Sequence, residues 1–280
     1  MSKKHVERID PENVALAPAG IDSHAHLDGP EFDADREEVL ARAKRCGLAR
    51  IANVFLNPFT FPEDARVFDK HPEVFFLLGV HPDDVAGFSD KTLDCLRRHV
   101  TENKRIRAIG EIGLDFSRTD PDGAAPSLQA APFIAQLRLA KELDMPVAIH
   151  CRSAEEMTLD ILEKEGFSGY PLVWHCFGAD TALAERLVAN DWYVSIPGTI
   201  TFKNNPQARA ALPLIADNRL MMETDCPYLS PVPWRGTRCE PAYTVFTIRT
   251  MAECRGVEPE ALWRQCGENA RTFYRLDEAF

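Results

Sequence analysis

The chain has 280 residues, of which 45% are hydrophobic, and it carries a formal net charge of −11. This size and composition exclude a disordered chain and allow one large α/β domain or two small ones. The acidic balance disfavours tight, non-specific binding to DNA, because a negative surface repels the phosphate backbone. It does not exclude a small nucleic-acid substrate that is held locally by metal.

The eight cysteines include no CxxC pair, so the sequence indicates neither a disulfide framework nor a zinc ribbon. We expect reduced thiols in a cytoplasmic protein. The first 13 residues are charged rather than apolar and predict neither a signal peptide nor a membrane span. We therefore expect no membrane association, no obligate protein partner and a monomer.

From residue 20 onward, short apolar runs alternate with helical stretches. Eight runs are predicted as strands, at 20–23, 50–56, 74–80, 106–112, 146–150, 172–174, 192–196 and 220–223. Several runs are polar only at their C-terminal ends, which is typical of strands that are buried on both faces.

Helix signals separate these runs. Ser89 and Asp180 are predicted N-caps, and Ser153 with Glu156 reads as a capping box. Residues 241–276 are predicted to be helical, with Pro259 in a first turn.

Strand–helix alternation repeated eight times predicts parallel strands with right-handed crossovers. Length and strand count favour a (β/α)8 TIM barrel that forms a single domain over residues 1–280, with residues 1–19 as an N-terminal extension. A doubly wound sheet is the alternative. Two long polar connections, 114–127 and 226–241, follow strands and would lie over the active face of a barrel.

Ionisable residues fall where the predicted strands end. In a barrel these ends meet at one mouth. The His24-x-His26 pair, taken alone, fits a solvated loop as well as a metal site, although alternate residues of a strand share a face. Taken together, seven residues of metal-binding type at strand ends indicate a metal site: His24, His26, His81, Glu111, His150, His175 and Asp225.

Four histidines and two carboxylates exceed the ligand number of one tetrahedral ion. They suit two divalent ions bridged by a carboxylate, roughly 3.5–4 Å apart. Glu111 lies midway in the strand order and is the predicted bridge. The remaining imidazoles divide by strand order, with His24 and His26 on one ion and His150 and His175 on the other.

Asp225 is predicted to bind the first ion and to relay a proton between the attacking water and the leaving group. Asp225 and Glu111 are thus the predicted catalytic residues. A histidine-rich set suits zinc, manganese or nickel, whereas magnesium prefers oxygen ligands, so Zn, Mn, Ni and Mg all remain candidates.

Several motifs occur in a fixed order along the chain. They are Asp22-Ser23-His24-Ala25-His26, Gly110-Glu111-Ile112-Gly113-Leu114-Asp115, Ile149-His150-Cys151-Arg152, His175-Cys176-Phe177, Thr201-Phe202-Lys203, Glu223-Thr224-Asp225-Cys226-Pro227-Tyr228-Leu229 and Asn269-Ala270. In this set the chain resembles the TatD family of metal-dependent deoxyribonucleases, within the amidohydrolase superfamily, from residue 22 to about residue 274.

The resemblance implies a TIM barrel, a divalent metal centre and hydrolysis of phosphodiester bonds in DNA. The implied metal ligands are His24, His26, Glu111, His150, His175 and Asp225. His81 matches a histidine that lies near the substrate in the family. The alternative for His81 is a hydrogen-bonded residue that braces the loop before Pro82.

Three basic residues, Arg152, Lys203 and Arg235, are predicted to hold substrate phosphate, a role that suits arginine geometry. A loop ion pair with Glu240 is an equal alternative for Arg235, and Lys203 carries a similar ambiguity. Aromatic residues that follow strands could stack bases, although such residues are more often packed: Phe59, Phe61, Phe116, Phe177, Tyr228 and Trp234.

Two rival functions remain open at this point. The same centre could polarise the carbonyl of a small ester, amide or lactone, as amidohydrolases do, and the acidic surface favours that reading. A metal-binding module without catalysis is the third alternative, which the complete ligand set disfavours. The partner is therefore expected to be DNA or a small phosphodiester, with the carbonyl substrates as the competing class.

Overall fold

The computed structural model describes residues 8–117 and 126–276. Within them, eight strands form one parallel sheet whose order follows the chain. The strands are β1 (Gly20–Ala25), β2 (Leu48–Phe55), β3 (Val74–Leu78), β4 (Ile106–Asp115), β5 (Val147–Arg152), β6 (Leu172–Trp174), β7 (Tyr193–Ile196) and β8 (Leu220–Met222). All eight predicted strands are confirmed, and β4 extends three residues beyond its predicted end.

The first and last strands meet at a parallel bridge between Ala25 and Cys226. The sheet is therefore a nearly closed barrel, and the TIM-barrel prediction is confirmed. A doubly wound sheet is excluded because its strand order would reverse partway, whereas each strand here pairs with its successor in sequence.

Helices connect the strands on the outside of the barrel, as right-handed crossovers require. They are α1 (Arg36–Arg45), α2 (Phe61–Asp64), α3 (Asp90–Glu102), α4 (Pro126–Glu142), α5 (Glu155–Lys164), α6 (Thr181–Ala189), α7 (Pro206–Ala211), α8 (Thr244–Arg255) and α9 (Pro259–Phe273). None of the helices within the described ranges is long and apolar enough to cross a membrane.

Three of the predicted helix starts are confirmed, including Pro259 in the first turn of α9, and one is wrong. Ser89 forms a capping box with Thr92 at the start of α3, and Asp180 accepts a hydrogen bond from the Leu183 amide at the start of α6. The capping box predicted at Ser153 does not form, because Ser153 adopts a left-handed backbone conformation with φ 54°. Ala154 is the N-cap of α5 instead, without a side-chain bond.

The barrel interior is filled with apolar side chains from the strands. One buried cluster comprises Ile21, Ala52, Val54, Phe75, Leu77, Ala108, Ala148, Val173 and Met221, with Ala270, Phe273, Tyr274 and Leu276 from the end of the chain. The Tyr274 ring packs 4.8 Å from that of Phe75, and its hydroxyl donates to the Ser23 carbonyl. Because this packing closes one end of the barrel, a site must open at the other end, where the strands end.

The N-terminal segment from residue 8 onward runs along the outside of the barrel. The Trp263 indole donates to the Ala17 carbonyl at 2.8 Å. At the other end of the segment, the Trp234 indole donates to the Ile9 carbonyl at 2.9 Å. The predicted connection 226–241 carries Trp234 and lies at the open end of the barrel. The predicted connection 114–127 lies largely outside the described residues.

Candidate metal centre

The two histidines of β1 point into the open end of the barrel together. Their rings lie 5.2 Å apart, as expected for alternate residues of a strand. The Nε2 atoms of His24 and His26 lie 3.4 and 3.8 Å from one oxygen, Oε2, of Glu111. The chain turns away after this pair because the Leu27 amide donates to the Asn53 side chain on β2 at 2.6 Å.

Glu111, near the middle of β4, lies between two groups of histidines. While its Oε2 atom faces the β1 pair, its Oε1 atom lies 2.6 Å from His150 Nδ1 and 2.7 Å from His175 Nε2. Burial acts to raise the pKa of Glu111, but His175 and His150 outweigh it and hold that pKa well below its usual range. The side chain is therefore a carboxylate with one oxygen directed at each group.

Asp225 follows β8 and is brought to the same place by its backbone. Its amide donates to the His24 carbonyl at 2.9 Å, and a left-handed conformation, φ 57°, turns its side chain inward. Its Oδ1 atom lies 3.5 Å from His26 Nε2 and 4.0 Å from His24 Nε2. Burial favours the neutral acid, but the hydrogen bond from His26 and the nearby His24 and His175 lower the pKa of Asp225.

His150, on β5, is fixed from both sides of its ring. Its Nδ1 atom faces Glu111, and its Nε2 atom lies 3.0 Å from Asp115 Oδ2. Asp115 is held in turn by Ser117, whose amide and hydroxyl donate to its Oδ1 at 2.8 and 2.6 Å. Although burial opposes the charged form, Glu111 and Asp115 raise the pKa of His150 to about 9. A cation at Nδ1 would therefore displace a proton.

His175, after β6, is oriented by a buried carboxylate that the sequence interpretation did not assign. Glu223 Oε1 lies 3.7 Å from His175 Nδ1 and accepts a hydrogen bond from the Cys176 amide at 2.6 Å. The other oxygen of Glu223 accepts from the Ser195 hydroxyl. Glu223 is fully buried, so its position, and through it that of the imidazole, is determined by the barrel.

The sequence interpretation also missed Asp115, which orients His150, and Asp22. One signal was available for Asp115: it lies four residues after Glu111, on the same face of one strand. Asp22 shares a strand face with His24 but accepts hydrogen bonds from the amide and hydroxyl of Thr224, at 2.9 and 2.6 Å. It links β1 to the segment after β8, and burial raises the pKa of Asp22 to about 8.

His81, after β3, forms the bracing hydrogen bond considered for it and lies next to the candidate centre. Its Nδ1 atom accepts a hydrogen bond from the Asp83 amide at 3.2 Å, which braces the turn beginning at Pro82. Its Nε2 atom lies 3.8 Å from Glu111 Oε1. Burial lowers the pKa of His81 to about 4, so this imidazole is neutral at physiological pH. Because its Nδ1 accepts from Asp83, its Nε2–H can donate one hydrogen bond at the edge of the centre.

The donor set fits divalent cations. The ring nitrogens of His24 and His175 are buried without hydrogen-bond geometry to any described residue, although His175 Nε2 lies close to Glu111. The spacing between His24 Nε2 and Glu111 Oε2, 3.4 Å, matches the roughly 3.4 Å between two ligands of a tetrahedral ion with metal–ligand distances of about 2.1 Å.

Among the described residues, three groups of ligand-type atoms lie within 4.8 Å of one another. They are His24 with His26 and Asp225, His24 with His175 and Glu223, and His81 with Glu111 and His150. All six predicted ligands are thus brought together at one end of the barrel. The buried, unpaired imidazoles and the central carboxylate are what a metal centre requires.

The three basic residues predicted to hold phosphate lie exposed on the rim. Arg152 ends β5, two residues past His150. The guanidinium of Arg235 lies 4.1 Å from the centre of the Phe202 ring. Phe202 directly precedes Lys203 in the sequence. The alternative ion pair of Arg235 does not form, because Glu240 accepts two hydrogen bonds from Arg42 at 2.6 and 3.2 Å.

Three cysteines follow ligands directly, and their thiols remain protonated. Burial raises the pKa of the Cys151 thiol to about 12 and holds those of Cys176 and Cys226 well above the usual range. Since the thiolate is the nucleophilic form, these residues are not nucleophiles.

We predict that Asp115→Asn weakens metal binding roughly 10- to 100-fold, because the partner that orients a ligand histidine contributes about that much to metal affinity. Competition with a chromogenic chelator measures the change. Asp69→Asn, an exposed substitution between α2 and the N-terminal end of β3, is the matched control. Equal affinities for Asp115→Asn and the wild type would mean that His150 needs no such partner.

The chain is similar in sequence and in fold to known metal-dependent hydrolases. A sequence profile described as TatD related DNase matches residues 21–275. The metal-dependent hydrolase YabD of Bacillus subtilis is 32% identical over 257 residues, which cover 92% of this chain and 99% of YabD. The 3'-5' ssDNA/RNA exonuclease TatD of Erwinia billingiae is 34% identical over 262 residues, covering 91% and 99% of the two chains. The crystal structure of YjjV, a TatD homologue from Escherichia coli K12, superposes with a TM-score of 0.84 at 26% identity and covers 92% of this chain and 98% of YjjV.

Proposed function

The chain belongs to the TatD family of metal-dependent hydrolases, and on that premise we propose that it cleaves phosphodiester bonds at the 3' end of single-stranded DNA. Relatives of similar length and about one-third identity are named as 3'-5' exonucleases of single-stranded DNA and RNA. The observation that carries the proposal is Glu111, whose two oxygens face separate histidine groups.

We propose two divalent ions at this centre, bridged by Glu111. His24, His26 and Asp225 would bind the first, and His150 and His175 the second. The nitrogen-rich donor set supports zinc, manganese or nickel, with magnesium as the fourth candidate. Four carboxylates lie in or next to the centre, those of Glu111, Asp225, Asp115 and Glu223, so a phosphodiester would be repelled until cations bind.

When bound, such ions polarise the phosphoryl oxygen and lower the pKa of the attacking water. Asp225 would accept the proton of that water at a carboxylate oxygen and return it to the departing oxygen. The lowered pKa of Asp225 supports this role, because the side chain is ionised at neutral pH. His81, neutral and beside Glu111, would hydrogen-bond the substrate, and Arg152, Lys203 and Arg235 would hold phosphates along the rim.

We further propose that residues 1–280 form one hydrolase domain and that the protein is cytoplasmic. The single eight-stranded sheet of the described residues supports the first statement. All eight cysteines are free thiols, which supports a reducing compartment.

The decisive experiment compares phosphodiester with carbonyl substrates. The protein is stripped with a chelator and reconstituted separately with Zn²⁺, Mn²⁺, Ni²⁺ or Mg²⁺. It is then assayed on single-stranded DNA and RNA labelled at either end and on a panel of aryl esters and lactones. We expect shortening of the DNA from its 3' end, dependent on an added cation, and no comparable carbonyl hydrolysis.

The rival function makes the opposite prediction. If the metal-loaded protein hydrolyses esters or lactones while labelled DNA stays intact, the centre is that of a small-molecule amidohydrolase. If the stripped protein cleaves DNA as fast as the reconstituted one, cleavage does not occur at this centre.

A further inference from the structure

The aromatic side chains near the catalytic end differ sharply in exposure. Of the aromatic residues that follow strands, Phe61 and Phe177 are buried in the core, and Phe116 and Trp234 are partly buried. Phe59 and Tyr228 are 60% and 62% exposed. Within residues 8–117 and 126–276, no other Phe, Tyr or Trp is exposed.

These two rings lie on opposite sides of the β1 histidine pair. Phe59 is in the connection after β2, which pairs with β1 along one edge. Tyr228 follows β8, which meets β1 along the other edge at the Ala25–Cys226 bridge. Both connections leave the C-terminal ends of their strands, so the rings flank the metal centre at the open end of the barrel.

The Phe59 ring is presented by a fixed turn. The Asn57 side-chain oxygen accepts a hydrogen bond from the Phe59 amide at 2.9 Å, and the Asn57 carbonyl accepts from the Phe61 amide at 3.0 Å. The thiol of Cys95, on α3, donates to the Pro58 carbonyl. Hydrogen bonds hold the backbone on both sides of Phe59, so its ring is already exposed in the folded protein. Little further conformational entropy is therefore lost when a ligand binds.

A cavity of about 320 Å³ adjoins Phe59 and is lined in part by Leu56, Val80 and Phe88. This volume lies at the lower end of the range for small-molecule sites, roughly 300–1,000 Å³, and suits one planar base. The Val80 amide and carbonyl are both hydrogen-bonded to the Gln136 side chain, so this wall is rigid. Val80 directly precedes His81, whose Nε2 is 3.8 Å from Glu111.

Tyr228 is hydrogen-bonded through its backbone to Asp225, the residue proposed to transfer the proton. Its amide donates to the Asp225 carbonyl at 3.0 Å, which closes a turn directly after the ligand. Only two residues therefore separate Tyr228 from Asp225 in the chain. The Tyr228 ring lies on the side of the metal centre away from Phe59.

We propose that Phe59 and Tyr228 are base-stacking platforms that hold the two nucleotides on either side of the scissile phosphate. This inference rests on the proposed function and specifies which part of the substrate the site binds, namely the two bases next to the scissile phosphate. Aromatic faces stack any base without sequence choice. A chain with a net charge of −11 repels phosphate at long range, so stacking would add binding energy to the contacts of the three basic residues on the rim. Bases in a duplex are stacked on each other, which would restrict the enzyme to single strands.

The test uses oligonucleotides that lack one base, replaced by a tetrahydrofuran residue on one side or the other of the terminal scissile phosphate. We expect wild-type kcat/KM to fall about 5- to 160-fold at either position, which is the equivalent of the roughly 1–3 kcal/mol that stacking of one base on an aromatic side chain contributes. Phe59→Leu should lose discrimination against the missing base at one position, and Tyr228→Leu at the other. Both variants should retain wild-type metal content and Tm.

Conservative variants separate stacking from structure. Phe59→Tyr and Tyr228→Phe keep a flat ring and should keep the discrimination. Leu214→Ala, which shortens an exposed apolar side chain between α7 and β8, is the control and should behave as the wild type.

The proposal is overturned if either leucine variant discriminates as strongly as the wild type, or if both lose activity equally on complete and base-lacking strands. A wild-type enzyme that cleaves DNA but ignores the missing bases rejects the platforms alone. A wild-type enzyme that cleaves no oligonucleotide with any of the four cations rejects the proposed function, and the platforms with it.

Discussion

Glu111→Gln should remove most of the bound metal from both histidine groups and lower kcat/KM on single-stranded DNA by roughly a thousand-fold or more. The amide retains the shape of the side chain but loses the charge that faces His24, His26, His150 and His175. A neutral group cannot bridge two cations, and metal polarisation contributes several kcal/mol to catalysis of this kind.

Elemental analysis after desalting, paired with steady-state kinetics on the same sample, measures this effect. The His24→Ala/His26→Ala double variant is the informative comparison, since it should lose about one equivalent of metal and keep the other. Glu185→Gln, on the exposed face of α6, controls for the change of charge. Full metal content in Glu111→Gln would show that the carboxylate does not bridge the ions.

Asp225→Asn should separate proton transfer from metal binding. An amide oxygen can still coordinate a cation but cannot accept a proton from water, so we expect metal content near that of the wild type. General base catalysis typically contributes about 10²- to 10⁴-fold, and kcat should fall by that factor with little change in KM.

The same paired measurements check this prediction, with thermal unfolding to confirm that the fold is intact. The Asp225 amide bond to the His24 carbonyl is made by the backbone and should survive the substitution. Activity that persists at full metal content would assign the proton to another group.

Together, the two variants distinguish residues needed to bind the metal ions from residues needed only for catalysis. Glu111 lies between the ligand groups, whereas Asp225 lies at the edge of one of them. Loss of metal in the first and loss of turnover alone in the second is the pattern that a bridged, two-ion hydrolase requires.

The fold was predictable because its signals are local. Each buried strand is a short apolar run, and each crossover carries its own caps or breakers, such as Ser89 and Asp180. The Ser153 cap was wrong because the sequence motif does not reveal that the chain takes a left-handed turn directly after β5.

The ligand types were predictable for a related reason. A parallel barrel gathers the ends of its strands at one mouth, so ionisable residues at those ends meet whatever separates them in sequence. His24 and Asp225 lie about 200 residues apart in the chain, yet strand order alone places them together.

Which partner each side chain takes was decided by the tertiary structure. Glu240 pairs with Arg42 on α1 rather than with its neighbour in the loop, Arg235. Glu223, directly after β8, lies 3.7 Å from His175 Nδ1. Such choices depend on distances of a few ångströms between elements that are far apart in sequence, and no local pattern encodes them.

By itself, then, the sequence determined the barrel and the ionisable side chains that gather at its mouth, since both depend on the residue pattern of each strand and its C-terminal end. The tertiary structure alone decided which carboxylates orient the histidines and which aromatic rings reach solvent. Phe59 and Phe61 are two residues apart and chemically identical, but packing buries one and exposes the other, because exposure is a property of the assembled surface.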